Sequence, residues 1–189
     1  MKLTQEFQVA KPVDVVWEFF QDIPSVAACM PGAELGDRKE DGPWAGKLTV
    51  KLGPMSTSFE GEATITPDPE ARSAHIDGKG VDRRGGSRGQ VAVDYALAAA
   101  DGGTRVTVDA DITLSGAIAQ FGRTGLIDEM SSRLIGQFVD CLERRLSAET
   151  TAEAREIKAP EVKGISLFFS ALGSTIANFF RRLFRRGRG

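Results

Sequence analysis

The chain is predicted to adopt an α+β fold: a curved antiparallel sheet of about six to seven strands around one long C-terminal helix, followed by a separate amphipathic helix. Three observations predict it. Residues 44–114 alternate apolar and polar side chains between Gly, Pro and Asp turn signals, the period of half-buried strands. Residues 117–146 then place Phe121, Ile127, Met130, Leu134, Phe138, Cys141 and Leu142 at helical spacing, so this helix supplies a cover for the sheet. Residues 162–189 hold six cations, no acid and five of the eleven phenylalanines, a composition unlike the rest.

In order, Lys2 to Val9 alternates Leu3, Phe7 and Val9 and reads as a first strand. Pro12 suits a first helical turn, and Val13, Val16, Trp17 and Phe20 repeat at helical spacing. Pro24 opens a second short helix through Ile23, Val26, Ala27 and Met30, closed by Pro31-Gly32. Trp44 to Leu52 points Trp44, Gly46, Leu48, Val50 and Leu52 one way, and Gly53-Pro54 turns the chain. Met55 to Ile65 follows with Phe59, Gly61, Ala63 and Ile65 inward. Strands Ala71 to Val81, Gly89 to Ala100 and Thr104 to Leu114 complete the run, the last two joined by Asp101-Gly102-Gly103. Ser115-Gly116 ends the sheet before the long helix.

Twenty-four Lys plus Arg face 26 Asp plus Glu, and six of the cations lie beyond residue 162. The body is therefore acidic, which argues against nucleic acid as a partner. The opening MKLTQEFQV has no apolar run of signal-peptide length, so no export is expected. Cys29 and Cys141 stand far apart in apolar-patterned stretches and are expected to be buried free thiols in a reducing cytoplasm.

On a helical wheel, Ile165, Phe168, Phe169, Leu172, Ile176, Phe179, Phe180 and Leu183 share one stripe. The opposite face turns basic, and Arg181, Arg182, Arg185 and Arg186 crowd its end. That pattern predicts a helix lying in the interface of a membrane carrying anionic lipids. A helix packed on its own domain or on a partner chain is the alternative. Against it stands the polar stretch 147–163, which reads as a flexible linker. The serines 166, 170 and 174 interrupt any transmembrane span. Three parts result: a ligand-binding domain 1–146, the linker 147–163, and a membrane-binding helix 164–189.

The element order looks like the helix-grip fold. Pro31-Gly32, VKLGP (50–54), FEGEATI (59–65), GGTRV (102–106) and GAIAQFG (116–122), with PVDVVWEFFQD (12–22), resemble the CoxG family of carbon monoxide dehydrogenase, a branch of the START-like (SRPBCC) superfamily. The resemblance covers about residues 1–146, and the tail matches more loosely. It implies a link to molybdenum hydroxylases of the carbon monoxide dehydrogenase type, in assembly or in coupling them to the membrane.

No catalytic constellation is legible. The single histidine, His75, shares a strand face with Asp77 and Lys79 and reads as a solvated outer residue. One His, two distant Cys and no ligand cluster leave no metal site to propose. Asp109 and Asp111 face outward. The loop DRRGGSRG (82–89) collects Arg83, Arg84 and Arg88, either as a solvated hairpin end or as a dock for an acidic partner or a lipid head group.

Small inward residues (Gly46, Gly61, Ala63, Gly78, Ala110) and the glycines 116, 122 and 125 leave two explanations open. Either backbones approach closely there, or volume is kept for a guest. Under the second, Trp44, Leu48, Phe59, Gly61, Tyr95, Leu97, Phe121, Gly122, Leu126 and Met130 would line an apolar cavity, with Tyr95 as donor to a carbonyl or as a rim residue. The family's partner must pass electrons to the respiratory chain. The expected cargo is therefore a quinone, menaquinone or ubiquinone, lifted from the inner membrane face and carried to the hydroxylase. The protein would be non-catalytic, cytoplasmic and peripherally membrane-attached. A recruitment or assembly factor without cargo is the alternative, and a cyclase-type enzyme would need a polar cluster inside the cavity.

Overall fold

The computed structural model describes residues 1–160 apart from 39, 41, 53–54 and 124–125; the side chains of residues 52, 55, 121–123, 126 and 128 also lie outside the description. The amphipathic stripe and arginines expected after residue 164 fall outside the described residues as well.

The chain runs β1 (Lys2–Val9), α1 (Val13–Gln21), α2 (Ile23–Cys29), β2 (Ala33–Arg38), β3 (Trp44–Leu52), β4 (Met55–Asp68), β5 (Ser73–Asp82), β6 (Ser87–Ala100) and β7 (Gly103–Ser115). A short 3-10 helix (Ala117–Arg123), α3 (Leu126–Leu146) and α4 (Thr151–Glu156) follow. The strands form one seven-stranded antiparallel sheet ordered β1-β7-β6-β5-β4-β3-β2. From β2 to β7 every neighbour in sequence is a neighbour in space. The α1-α2 crossover alone carries the chain from one edge to the other.

The larger core lies where α1 and α3 meet the β6-β7-β1 side. Val9, Val16, Phe19, Phe20, Tyr95, Leu97, Val106, Phe138 and Leu142 pack there. Phe20 and Phe138 meet edge-on at 5.9 Å, an arrangement aromatic rings favour. A smaller cluster at the other end gathers Ile118 and Ile127 with Phe59, Ile112, Leu114 and Met130.

Four sequence expectations change. First, β2 was not foreseen: AELGDR is an edge strand whose residues past Ala33 are exposed, so no inward alternation marks it. Second, the long helix begins at Leu126, not at residue 117. Gly116 takes φ +81° and a Cβ there would lie 2.3 Å from the Gly86 carbonyl oxygen. The chain thus leaves β7 through a left-handed glycine into a 3-10 helix.

Third, Cys29 and Cys141 form a disulfide rather than two free thiols. Apolar patterning correctly buried both, but it carries no distance between positions 112 apart; the packing of α2 on α3 brings their Cα atoms to 5.4 Å. Fourth, the described part of the stretch read as a flexible linker carries structure. Thr150 and Glu153 cap α4 reciprocally, and Ile157 packs on the larger core. Arg145, 7% exposed, donates from Nε to the Ile157 carbonyl at 2.7 Å, and the Ala159 N–H donates to the Ala28 carbonyl on α2 at 2.9 Å.

Candidate functional site

The helix-facing side of the sheet is built around a row of glycines. Gly46 pairs with Gly61, Gly61 with Gly80, and Gly80 with Gly89, so four adjacent strands present no side chain in one register row. At Gly61 a Cβ would sit 1.9 Å from the Lys79 carbonyl oxygen and 2.7 Å from the Gly80 Cα. At Gly46 the Glu34 carbonyl oxygen would be 3.0 Å away. Close backbone approach therefore accounts for these two glycines, and the alternative of volume reserved for a guest does not apply at Gly61. Glycine at a sharp sheet bend has this role elsewhere.

The bare strip is partly roofed by Phe59. Its Cβ would stand 3.0 Å from a side chain at Gly80, and its ring edge 3.7 Å from one at Gly89, where Leu114 also lies. The ring thus reaches across β5 to β6, over the glycines. Met130 of α3 packs on the same cluster. Phe59 and Met130 both pack against Ile118 and Ile127.

Among the described candidates, Tyr95, Leu97, Trp44 and Leu48 lie outside that cluster. Tyr95 and Leu97 are 7% and 5% exposed and belong to the larger core. The Tyr95 ring lies 5.1 Å from Phe20, and burial pushes its phenol up to about 12. Tyr95 is neither a rim residue nor an open one: it closes the far end of the helix-facing side. Trp44 and Leu48 lie on β3, outside both clusters. Leu48 is 37% exposed, and half-buried Trp44 carries the Arg38 guanidinium over its ring at 5.0 Å. Phe121, Gly122 and Leu126 lie on elements whose backbone alone is described at those positions.

The outcome is an apolar surface graded from closed to open. It is closed at the α1-α3 end, covered by Phe59 over part of the glycine row in the middle, and exposed at Leu48 on β3. Leu35 of the edge strand β2, 38% exposed, extends that open side. The described chain ends on α2, where the Ala28 carbonyl accepts the Ala159 N–H.

The outer face is different in kind. A depression of about 390 Å³ there is lined by Glu62, Thr64, Asp77, Lys79, Gln90, Asp111 and Thr113 among others, so it is polar and is not the apolar hollow expected under the helix. Beside it His75 Nδ1 lies 2.7 Å from Asp94 and Nε2 3.3 Å from Asp77. The Asp94 hydrogen bond is the main reason the imidazole is held above its ordinary value. His75 is thus an outer-face residue as read from the strand alternation. Asp109 accepts from the Thr4 hydroxyl and Asp111 pairs with the N-terminal amine, both on the outer face. Among the described residues no group of His, Cys, Asp or Glu has a metal-binding arrangement. No described helix is long and apolar enough to cross a membrane.

A model of the carbon monoxide dehydrogenase CoxG family matches residues 6–147. Among solved structures, a conserved protein from Geobacillus kaustophilus is similar over 74% of this chain and 93% of its own, at 16% identity and a TM-score of 0.61. The Zhui aromatase/cyclase from Streptomyces sp. R1128 is similar over 78% of this chain and 96% of its own, at 16% identity and a TM-score of 0.55. A START superfamily protein from Mycobacterium smegmatis is similar over 79% of this chain and 99% of its own, at 15% identity and a TM-score of 0.50. No curated protein matches the chain. At these identities the structural likeness shows the fold, the START-like helix grip.

Proposed function

Because the chain belongs to the CoxG family of carbon monoxide dehydrogenase, we propose that it is a non-catalytic, membrane-attached carrier. It takes a respiratory quinone from the inner membrane face and delivers it to a molybdenum hydroxylase of the carbon monoxide dehydrogenase type. One observation carries this reading: the apolar helix-facing side is exposed along β3 and β2, at Leu48 and Leu35. A molecule leaving a bilayer held by residues 165–186 would meet Leu48, Trp44 and Leu35 first. It would then slide over Phe59 and the glycine strip toward the closed Tyr95 end.

An isoprenoid chain suits such a path, since it needs apolar surface and few hydrogen-bond donors. Each large apolar group it covers is worth roughly 1.5–3 kcal/mol at full burial. The protein's own large side chains already fill the larger core, so the guest lies on the β3-β4 half of the sheet. Menaquinone and ubiquinone both fit this description.

The test uses the full chain in mild detergent. Titration with menaquinone and ubiquinone analogues should give saturable quenching of Trp44 fluorescence, with Trp17, on α1 against the larger core, as the less affected reference. Leu48→Glu, at an exposed position, should abolish that quenching without lowering the melting temperature. Absence of saturable binding by the parent chain refutes the carrier and leaves a recruitment factor that docks the hydroxylase without cargo.

A further inference from the structure

We infer that the β5-β6 loop, through Arg83, Arg84 and Arg88, is a second membrane contact that seats the sheet end carrying Phe59 on anionic phospholipid. The inference rests on the carrier reading for its purpose, though its observations are separate. The three arginines are exposed, and none has a salt-bridge partner among the described residues. They are also held in place. The Asp82 carboxylate, in a residue 6% exposed, accepts the Thr57 hydroxyl and the N–H groups of Arg84 and Gly85. These bonds keep its carboxyl below the usual range, the Thr57 bond foremost. Ser87 on the other side, 2% exposed, accepts the Ile118 N–H. The cations therefore project from a turn braced against β4 and the 3-10 helix.

Their position selects the partner. The loop stands at the end of the sheet where β7 finishes and the 3-10 helix begins, not on a broad face. Gly85 and Gly86 add no apolar side chain to bury, so the loop offers little to a protein interface and much to phosphate oxygens, which Arg binds in bidentate fashion. Exposed Val81, in register between Glu60 and Arg88, stands beside it on the outer face. That outer face mixes both signs: Lys47, Lys79 and Arg105 there are paired with Glu34, Glu62 and Glu6, and His75 lies between Asp77 and Asp94. The loop instead gathers three arginines with no described salt-bridge partner, so an anionic leaflet attracts the arginine end more than the paired face. That end also carries Phe59, Met130 and Leu114.

The experiment compares the full chain with Arg83→Ser/Arg84→Ser/Arg88→Ser and with Arg83→Lys/Arg84→Lys/Arg88→Lys, by co-sedimentation with phosphatidylcholine vesicles with and without phosphatidylglycerol. Each cation near an anionic surface is worth about fivefold in partition. The serine variant should bind the anionic vesicles at least about tenfold more weakly, neutral vesicles as the parent does, and melt as the parent does; the lysine variant should restore most of the loss. Equal binding of parent and serine variant to anionic vesicles overturns the inference, as does equal loss on both vesicle types. Unchanged vesicle binding with lost affinity for polyglutamate also overturns it, in favour of an acidic protein. Quinone titration in detergent separates the two proposals: if the parent binds no quinone the carrier reading falls, and the vesicle comparison still decides the loop.

Discussion

Cys29 and Cys141 are joined by a disulfide that ties α2 to the second half of α3, across 112 positions of sequence. Both residues lie in the larger core, at 0% and 1% exposure, so the link fixes the crossover against the helix that closes the sheet. Cross-linking so long a loop restricts the unfolded chain strongly. Urea unfolding with and without reductant should differ by about 2–5 kcal/mol, and Cys29→Ala/Cys141→Ala should match the reduced protein. Free-thiol titration of the denatured, unreduced protein should find no thiol; two thiols would show that the pair stays open. Thiol trapping in growing cells then reports which state the protein keeps in its own compartment.

The glycine strip makes a prediction of opposite signs. Gly61→Ala forces a methyl against the Lys79 carbonyl oxygen, where backbone must shift, so it should cost about 1–3 kcal/mol. Gly136→Ala lies on α3 with nothing within 4 Å of the new methyl, so it should add up to about 1 kcal/mol. Urea midpoints measure both. A neutral Gly61→Ala would show that the backbone of Lys79 yields to a methyl at little cost.

His75 is held above its ordinary value by the carboxylates around it. Its folded value is raised, first by the Asp94 hydrogen bond, so its ion pairs contribute fully below the ordinary value near 6.5 and fade as pH rises through the folded value. The melting temperature of the parent should exceed that of His75→Gln most at mildly acidic pH, and the gap should close on the alkaline side. The protein has one histidine, so its ring resonances give the titration directly by NMR. A midpoint below the ordinary value would contradict the Asp94 pairing.

Arg145 holds down the strap that follows α3. Arg145→Met removes the donor to the Ile157 carbonyl, and a bond from a charged group is worth about 1.5–3 kcal/mol. The variant should release residues 151–158, and trypsin should then cut after Arg155 and Lys158 faster than in the parent. Equal cleavage rates would mean that Ile157 packing and the Ala159 bond suffice.

Much of the fold was legible because its strands are long and half-buried. Residues 44–52, 55–65 and 104–114 alternate cleanly, and each lies within an observed strand. β2 was missed because an edge strand in water needs no apolar alternation. Residues 117–123 were read as the start of a helix because a 3-10 turn and an α-helix share similar apolar spacing over so few residues. The strap was missed because its capping box, Thr150 with Glu153, looks like ordinary polar linker until Ile157 finds the core.

Sequence alone determined which side chains face the helix, that His75, Asp109 and Asp111 face water, and where the charge divides between acidic body and basic tail. Only the tertiary structure decided that Gly46, Gly61, Gly80 and Gly89 fall in one row, that Phe59 lies over it, that Tyr95 is core, and that Cys29 meets Cys141. The physical reason is the range of the interactions. Facing and burial follow from a local period of two or 3.6 residues, whereas register between strands and contact between distant helices depend on how the whole sheet bends.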